Sequence, residues 1–180
     1  MTLFEFLTVA VSIVLGLGLV RLMDGLGGVL RSPSRYWIHL AVLLGLIACH
    51  LFYWWSLWSF HEYPDWNFFR FTYVIFGALL LYLAASALVP RDMDSVRSWK
   101  EHYFRVHRSL YLAIACYVVQ QVLAPAVMRG SFGLPSAYSV LGMVLVLAAA
   151  FTDSERFHGF LMVLFWLLLT VVLLAFGGTF

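Results

Sequence analysis

Long apolar runs separated by short polar clusters dominate this chain. A helix that crosses the hydrocarbon core of a bilayer needs roughly 20 mostly apolar residues. Such runs recur six times, at about 3–22, 37–59, 69–89, 107–128, 137–152 and 158–177. The fifth is short for a full crossing. The pattern predicts an all-α integral membrane protein: one domain over residues 1–180, folded as a compact bundle of six transmembrane helices. No repeat relates the halves, and no linker is long enough to separate domains.

The breaks carry turn and cap chemistry. Ser32-Pro33 offers an N-cap and a first-turn proline for the second helix. Pro64 and Asp65 punctuate the loop before the third. Ser98-x-x-Glu101 and Thr152-x-x-Glu155 fit capping boxes that start helices four and six. Gly130, Gly133 and Pro135 close helix four and open helix five, and Pro125 predicts a kink near the outer end of helix four.

Composition agrees with the pattern. Of 180 residues, 63% are hydrophobic and 11% charged, with a mean hydropathy of +0.92. A soluble domain carries about 25% charged residues, so lipid must solvate most of this chain. The net charge of +2 is too small and too local to suggest nucleic acid. Cys49 and Cys116 sit inside apolar runs without metal or redox spacing. Met1 to Phe6 lacks the basic start of a cleavable signal, so the first run is expected to remain as a helix.

Basic residues predict the orientation. Arg31 and Arg35 lie in the first connection, with Arg21 just inside; Arg91, Arg97, Lys100, Arg105 and Arg108 lie around the third, and Arg156 near the fifth. The second and fourth have Arg70 and Arg129. The positive-inside rule places connections one, three and five in the cytoplasm of a bacterial-type inner membrane, with both termini outside. Arg97, Lys100, Arg105 and Arg108 can hold anionic lipid headgroups, or simply anchor the start of helix four.

Ionisable and amide side chains at membrane depth are costly, which makes each a candidate site residue. Glu5, Thr8, Ser12 and Gly16 follow steps of three and four along one face, a stripe for close helix packing or a narrow hydrated path. Arg21 and Asp24 are spaced for a local ion pair; alternatively, Arg21 snorkels and Asp24 caps a break at Gly25. His39, His50 and His61 are eleven residues apart, close to three turns, and should share a face of helix two. Haem ligation there would need a partner such as His102, His107 or His158 for His39. Gln120 and Gln121 lie at the depth of His50, and a hydrogen bond between them would form either a clamp between helices two and four or a polar waist. The rings around the second connection, including Tyr53, Trp54, Trp55, Trp58, Tyr63 and Tyr73, exceed what anchoring requires and can line a pocket. No nucleotide loop, zinc-helix motif or nucleophile elbow is present, which argues against an enzyme. No metal site has a recognisable ligand spacing, and no resident cofactor is expected beyond the haem alternative.

Phe4-Glu5-Phe6 followed by Ser12-Ile13-Val14-Leu15-Gly16-Leu17-Gly18, and Tyr36-Trp37-x-His39 leading to Trp54-Trp55, resemble a group of small uncharacterised bacterial multipass membrane proteins. The resemblance covers about the first third of the chain. It implies a fold type and a membrane setting, and no activity. Three classes of function remain from the residues: a homo-oligomeric channel or solute pathway, a non-catalytic accessory or sensing subunit, and a haem- or quinone-linked redox protein. The expected partners are the bilayer and either further copies of the chain or other membrane subunits.

Overall fold

In the computed structural model, which describes residues 2–61, 65–131 and 133–176, the first helix, α1, runs over Leu3–Arg31. At about 1.5 Å per residue it is roughly 43 Å long, more than the roughly 30 Å hydrocarbon core. It opens on a capping box missed by the sequence reading: Thr2 Oγ1 accepts from the Glu5 amide at 3.2 Å, and the Glu5 carboxylate accepts from the Thr2 amide at 2.9 Å. It does not break at Gly25, as the Asp24 reading expected. Glycine disfavours a helix by about 1 kcal/mol, but here it allows close approach: a Cβ at Gly25 would meet Val89 and Leu43, and one at Gly28 would meet Met93 and Trp99. Ser32 and Pro33 close α1 instead of opening the next helix. Ser32 is the extended C-cap, as expected before a proline, and its hydroxyl accepts from the Ser34 amide at 3.2 Å.

The second helix, α2, spans Trp37–Ser56 and passes into a 3-10 turn over Leu57–Phe60. That tighter winding breaks the eleven-residue register. His39 and His50 are fully buried, whereas His61 is exposed and stacks on Trp58. Glu62, Tyr63 and Pro64 lie outside the described residues. Asn67 caps α3, Phe68–Leu88, by accepting from the Arg70 amide at 3.0 Å. The next helix, α4, runs over Trp99–Arg129, beginning eight residues before the expected 107. The Ser98 cap proposed from sequence does start it, accepting from the Glu101 amide at 3.3 Å. It ends at Gly130 with φ 62°, in a Schellman-type close: Gly130 N–H donates to Ala126 and Ser131 N–H to Pro125.

The fifth helix, α5, covers Ala137–Phe151. Its 15 residues make about 22 Å, short of a full crossing on its own. The last, α6, covers Glu155–Phe176. Its cap is Ser154, which accepts from the Phe157 amide at 3.4 Å, in place of the expected Thr152; the Thr152 carbonyl instead receives a buried histidine. Five of the six helices are long and apolar enough to span a membrane. Their exposed faces are rich in Leu, Val and Phe.

The helices alternate in direction. Connections one, three and five meet at one end: Tyr36 packs on Tyr103, Lys100 pairs with Glu155 at 2.5 Å, and His107 approaches Asp153 at 3.3 Å. At the other end Phe6 stacks on Phe71, and Arg70 reaches the Val127 carbonyl at 3.2 Å. The α3 helix packs chiefly on α4 and α1, and α5 lies along α4. The buried core divides into two apolar clusters, one toward each end. His50 on α2 and Gly18 on α1 lie between them: Leu15 and Tyr53 belong to one cluster, Leu22 and Leu46 to the other.

Candidate functional site

On α4, Tyr103, His107, Tyr111, Ile114, Tyr117 and Gln121 fall within about 120° of one another at 3.6 residues per turn. These positions connect three features stacked along the helix.

At the end bearing the second and fourth connections, a pocket of about 320 Å³ opens between the end of α2, the start of α3 and the end of α4. Tyr53, Ser59, Tyr73, Gln120, Gln121 and Arg129 contribute to its wall. Gln120 is 5% exposed. Its Nε2 donates to the Tyr73 carbonyl at 3.3 Å, and the Tyr73 hydroxyl donates back to the Gln120 carbonyl. That pair clips α3 to α4 and fixes the amide. Its Oε1 is then left without a donor among the described residues. The arrangement needs Gly77, because a Cβ there would overlap the Tyr53 hydroxyl and stand 3.0 Å from Gln120 Nε2. The Tyr53 hydroxyl donates to the Val74 carbonyl.

Deeper in, Tyr117 packs edge-on against Tyr53 and accepts from Gln121 Nε2 at 2.9 Å. It also borders a second cavity of about 120 Å³, walled by apolar side chains such as Leu81, Ile114 and Phe165, with Tyr111 on its far side.

Beyond that cavity lies a buried polar chain. The Thr152 carbonyl can only accept, so His158 Nε2, 2.7 Å away, must carry a proton. In the neutral ring Nδ1 is then an acceptor, and the Tyr103 hydroxyl donates to it at 2.8 Å. Tyr103 in turn accepts from Tyr111 at 3.0 Å. The hydrogen bonds therefore run in one direction, from Tyr111 through Tyr103 and His158 to Thr152. All three side chains are at most 1% exposed. His107 lies edge-on to His158; its Nδ1 donates to the Phe104 carbonyl at 2.7 Å, and its Nε2 faces exposed Asp153. Nearby, burial and then the Glu155 carboxylate push the Tyr36 phenol above its ordinary pKa.

This geometry redistributes the residues singled out from sequence. Gln120 and Gln121 line the outer pocket, but His50 bonds to neither. Its Nδ1 donates to the Leu46 carbonyl at 2.7 Å, and its Nε2 presses on Gly18. The amides and His50 share a depth while facing different helices, so the expected clamp between α2 and α4 does not form. Glu5 is occupied in the α1 cap. Thr8 borders a separate groove of about 820 Å³ with Trp54, Trp55 and Trp58. Ser12 is half-buried. The face of α1 that packs is Leu7, Val11, Leu15, Gly18, Leu22, Gly25 and Val29, adjacent to the small-residue stripe, not the stripe itself.

Arg21 does not pair with Asp24. Its guanidinium donates to the Val89 carbonyl at 2.9 Å, satisfying the end of α3. Among the basic residues assigned to headgroups, Lys100 is held by Glu155 and Arg108 lies over the Phe151 ring. Arg97 and Arg105 flank a small polar pocket. His39 packs against Trp99, His102 and Tyr103 with ring centroids 4.8 to 6.3 Å apart. Among the described residues no three His, Cys, Asp or Glu side chains converge as a metal site. Tyr111 and Tyr117 went unnoticed in the sequence, although their spacing from Tyr103, His107 and Gln121 was visible.

The fold and its apolar surface define the class: an all-helical, multipass membrane protein. No family model matches the chain, and no curated protein or solved structure matches it either.

Proposed function

We propose that the chain is a pathway for a small neutral solute carrying a hydrogen-bond donor, with the Tyr103–Gln121 face of α4 as its wall. The observation that carries this reading is the stacking, along one face of α4, of the outer pocket bordered by Gln121, the apolar cavity and the Tyr111–Tyr103–His158 chain. Gln120 Oε1, buried behind the pocket wall without a donor among the described residues, carries a cost of about 1–3 kcal/mol, which a solute donor would recover once the amide turns toward the pocket. The 120 Å³ cavity is the closed gate. Water occupies about 30 Å³ per molecule, so the cavity suits a few waters or a very small solute. Moving an ion through apolar walls is far more costly than moving a neutral group.

The distribution of Arg and Lys supports placing the outer pocket on the extracytoplasmic side of a bacterial-type inner membrane, with both termini on that side. The open Thr8, Ser12 and Gly16 face of α1 supports assembly as a homo-oligomer, which native mass spectrometry of the detergent-extracted protein would count.

Stopped-flow light scattering on proteoliposomes challenged with urea or glycerol tests the pathway. Wild type is expected to swell faster than protein-free liposomes, and Gln120→Leu to fall toward the protein-free rate while the protein still folds. His50→Leu, off the α4 face, is expected to conduct like wild type if it folds. Protein-free and wild-type rates that coincide for both solutes would refute the reading.

A further inference from the structure

The basic end of α1 forms a second site, unrelated to the α4 face. Three guanidinium groups, from Arg21, Arg31 and Arg91, surround a polar pocket of about 490 Å³ together with the Asp24 carboxylate. Three positive groups against one negative leave a surplus of two charges in the pocket wall. Arg21 is fixed by the Val89 carbonyl, which uses one of its five N–H donors and leaves the others available. Arg31 folds back one turn over the bare backbone of Gly27: a Cβ at Gly27 would lie 3.7 Å from Arg31 NH2. Among the described residues, none of the three arginines is within ion-pair distance of an acidic group.

We propose that this pocket holds the phosphate of an anionic phospholipid. Guanidinium forks suit phosphate oxygens better than point charges do. The pocket lies where α1 leaves the apolar zone: Val20, Met23 and Leu30 on the same helix are 62%, 55% and 47% exposed, offering an apolar surface to the acyl chains. Basic pockets at such helix ends recognise anionic headgroups. The residues differ from those the sequence suggested, because Lys100 and Arg108 are engaged elsewhere.

Native mass spectrometry of the full chain in mild detergent, titrated with phosphatidylglycerol, cardiolipin or phosphatidylcholine, tests the site. Wild type should retain the two anionic lipids in preference to phosphatidylcholine. Arg31→Gln/Arg91→Gln should weaken that retention about thirtyfold, the effect of two surface arginines, while Arg97→Gln/Arg105→Gln leaves it unchanged. Gly27→Leu, which changes no charge and meets little besides the Arg31 side chain, should also lose the adduct by filling the pocket floor. Equal retention by wild type and the Arg31/Arg91 variant, or full retention by Gly27→Leu, would overturn the site. Displacement of the lipid by millimolar inorganic phosphate would overturn the lipid assignment.

Discussion

Gly18 and Gly16 lie two residues apart on α1 and make opposite predictions. A Cβ added at Gly18 would overlap His50 Nε2 and stand 3.0 Å from its Cδ2, whereas among the described residues nothing comes within 4 Å of a Cβ at Gly16. His50 cannot yield cheaply. It is fully buried, and its Nδ1 is tied to the Leu46 carbonyl at 2.7 Å. Moving the ring breaks a hydrogen bond that nothing nearby replaces. Overpacking of this kind costs about 1–3 kcal/mol, set against up to about 1 kcal/mol gained from alanine over glycine in a helix. Gly18→Ala should therefore destabilise by up to about 2 kcal/mol, and Gly16→Ala should stabilise by up to about 1 kcal/mol. The sign at position 18 should reverse when His50 is removed. In a His50→Ala background, Gly18→Ala keeps the propensity gain and loses the clash, giving a coupling of about 1–3 kcal/mol across the cycle. Unfolding of the four variants in detergent, followed by circular dichroism against denaturant, measures all of these differences. If Gly18→Ala is as stable as Gly16→Ala, or its cost persists without the imidazole, then α1 and α2 do not meet through this pair.

The directed hydrogen-bond chain gives a second prediction: Tyr103→Phe should cost about 1–3 kcal/mol by orphaning His158 Nδ1, and Tyr111→Phe only about 0.5–1.5, since it removes a terminal donor. Thermal unfolding ranks them, and a larger loss for Tyr111→Phe would reverse the assigned direction. Glu5→Gln keeps an acceptor for the Thr2 amide, so neither stability nor solute flux should change; altered flux would restore Glu5 as a pathway mouth.

The six segments were legible because each must bury or expose an apolar surface long enough to match a bilayer, and that requirement is written continuously along the chain. The helix ends were less legible. Asp24-Gly25 reads as a break, yet α1 continues through it because Val89 and Leu43 pack where the missing side chain of Gly25 would stand, as Met93 and Trp99 do at Gly28. The start of α4 is polar on its outer face and was placed too late, although its Ser98 cap was recognisable. Azimuth was least accessible. Spacing put His50 and Gln120 at one depth, but which helix each faces depends on how six helices pack, and no local pattern specifies that. The 3-10 turn over Leu57–Phe60 similarly removed His61 from a face that ideal α periodicity had assigned to it.

Depth in the membrane alone therefore does not separate a working polar residue from a structural one. His50 Nε2 and Gln120 Oε1 both lack a hydrogen-bond partner among the described residues, and both are buried. The difference is what lies beside each atom. Against His50 is the backbone of Gly18 at a distance no side chain could occupy, so its unmet valence is sealed within a helix contact and no solute can reach it. The Gln120 side chain instead forms part of the wall of the outer pocket, with Tyr73, Ser59 and Arg129. An unsatisfied group sealed between two helix backbones is a cost carried by the fold, whereas one on a side chain that also walls a pocket can meet a donor by a turn of that side chain. On that distinction rests the proposal of a working face on α4, with His50 setting how closely α1 approaches α2.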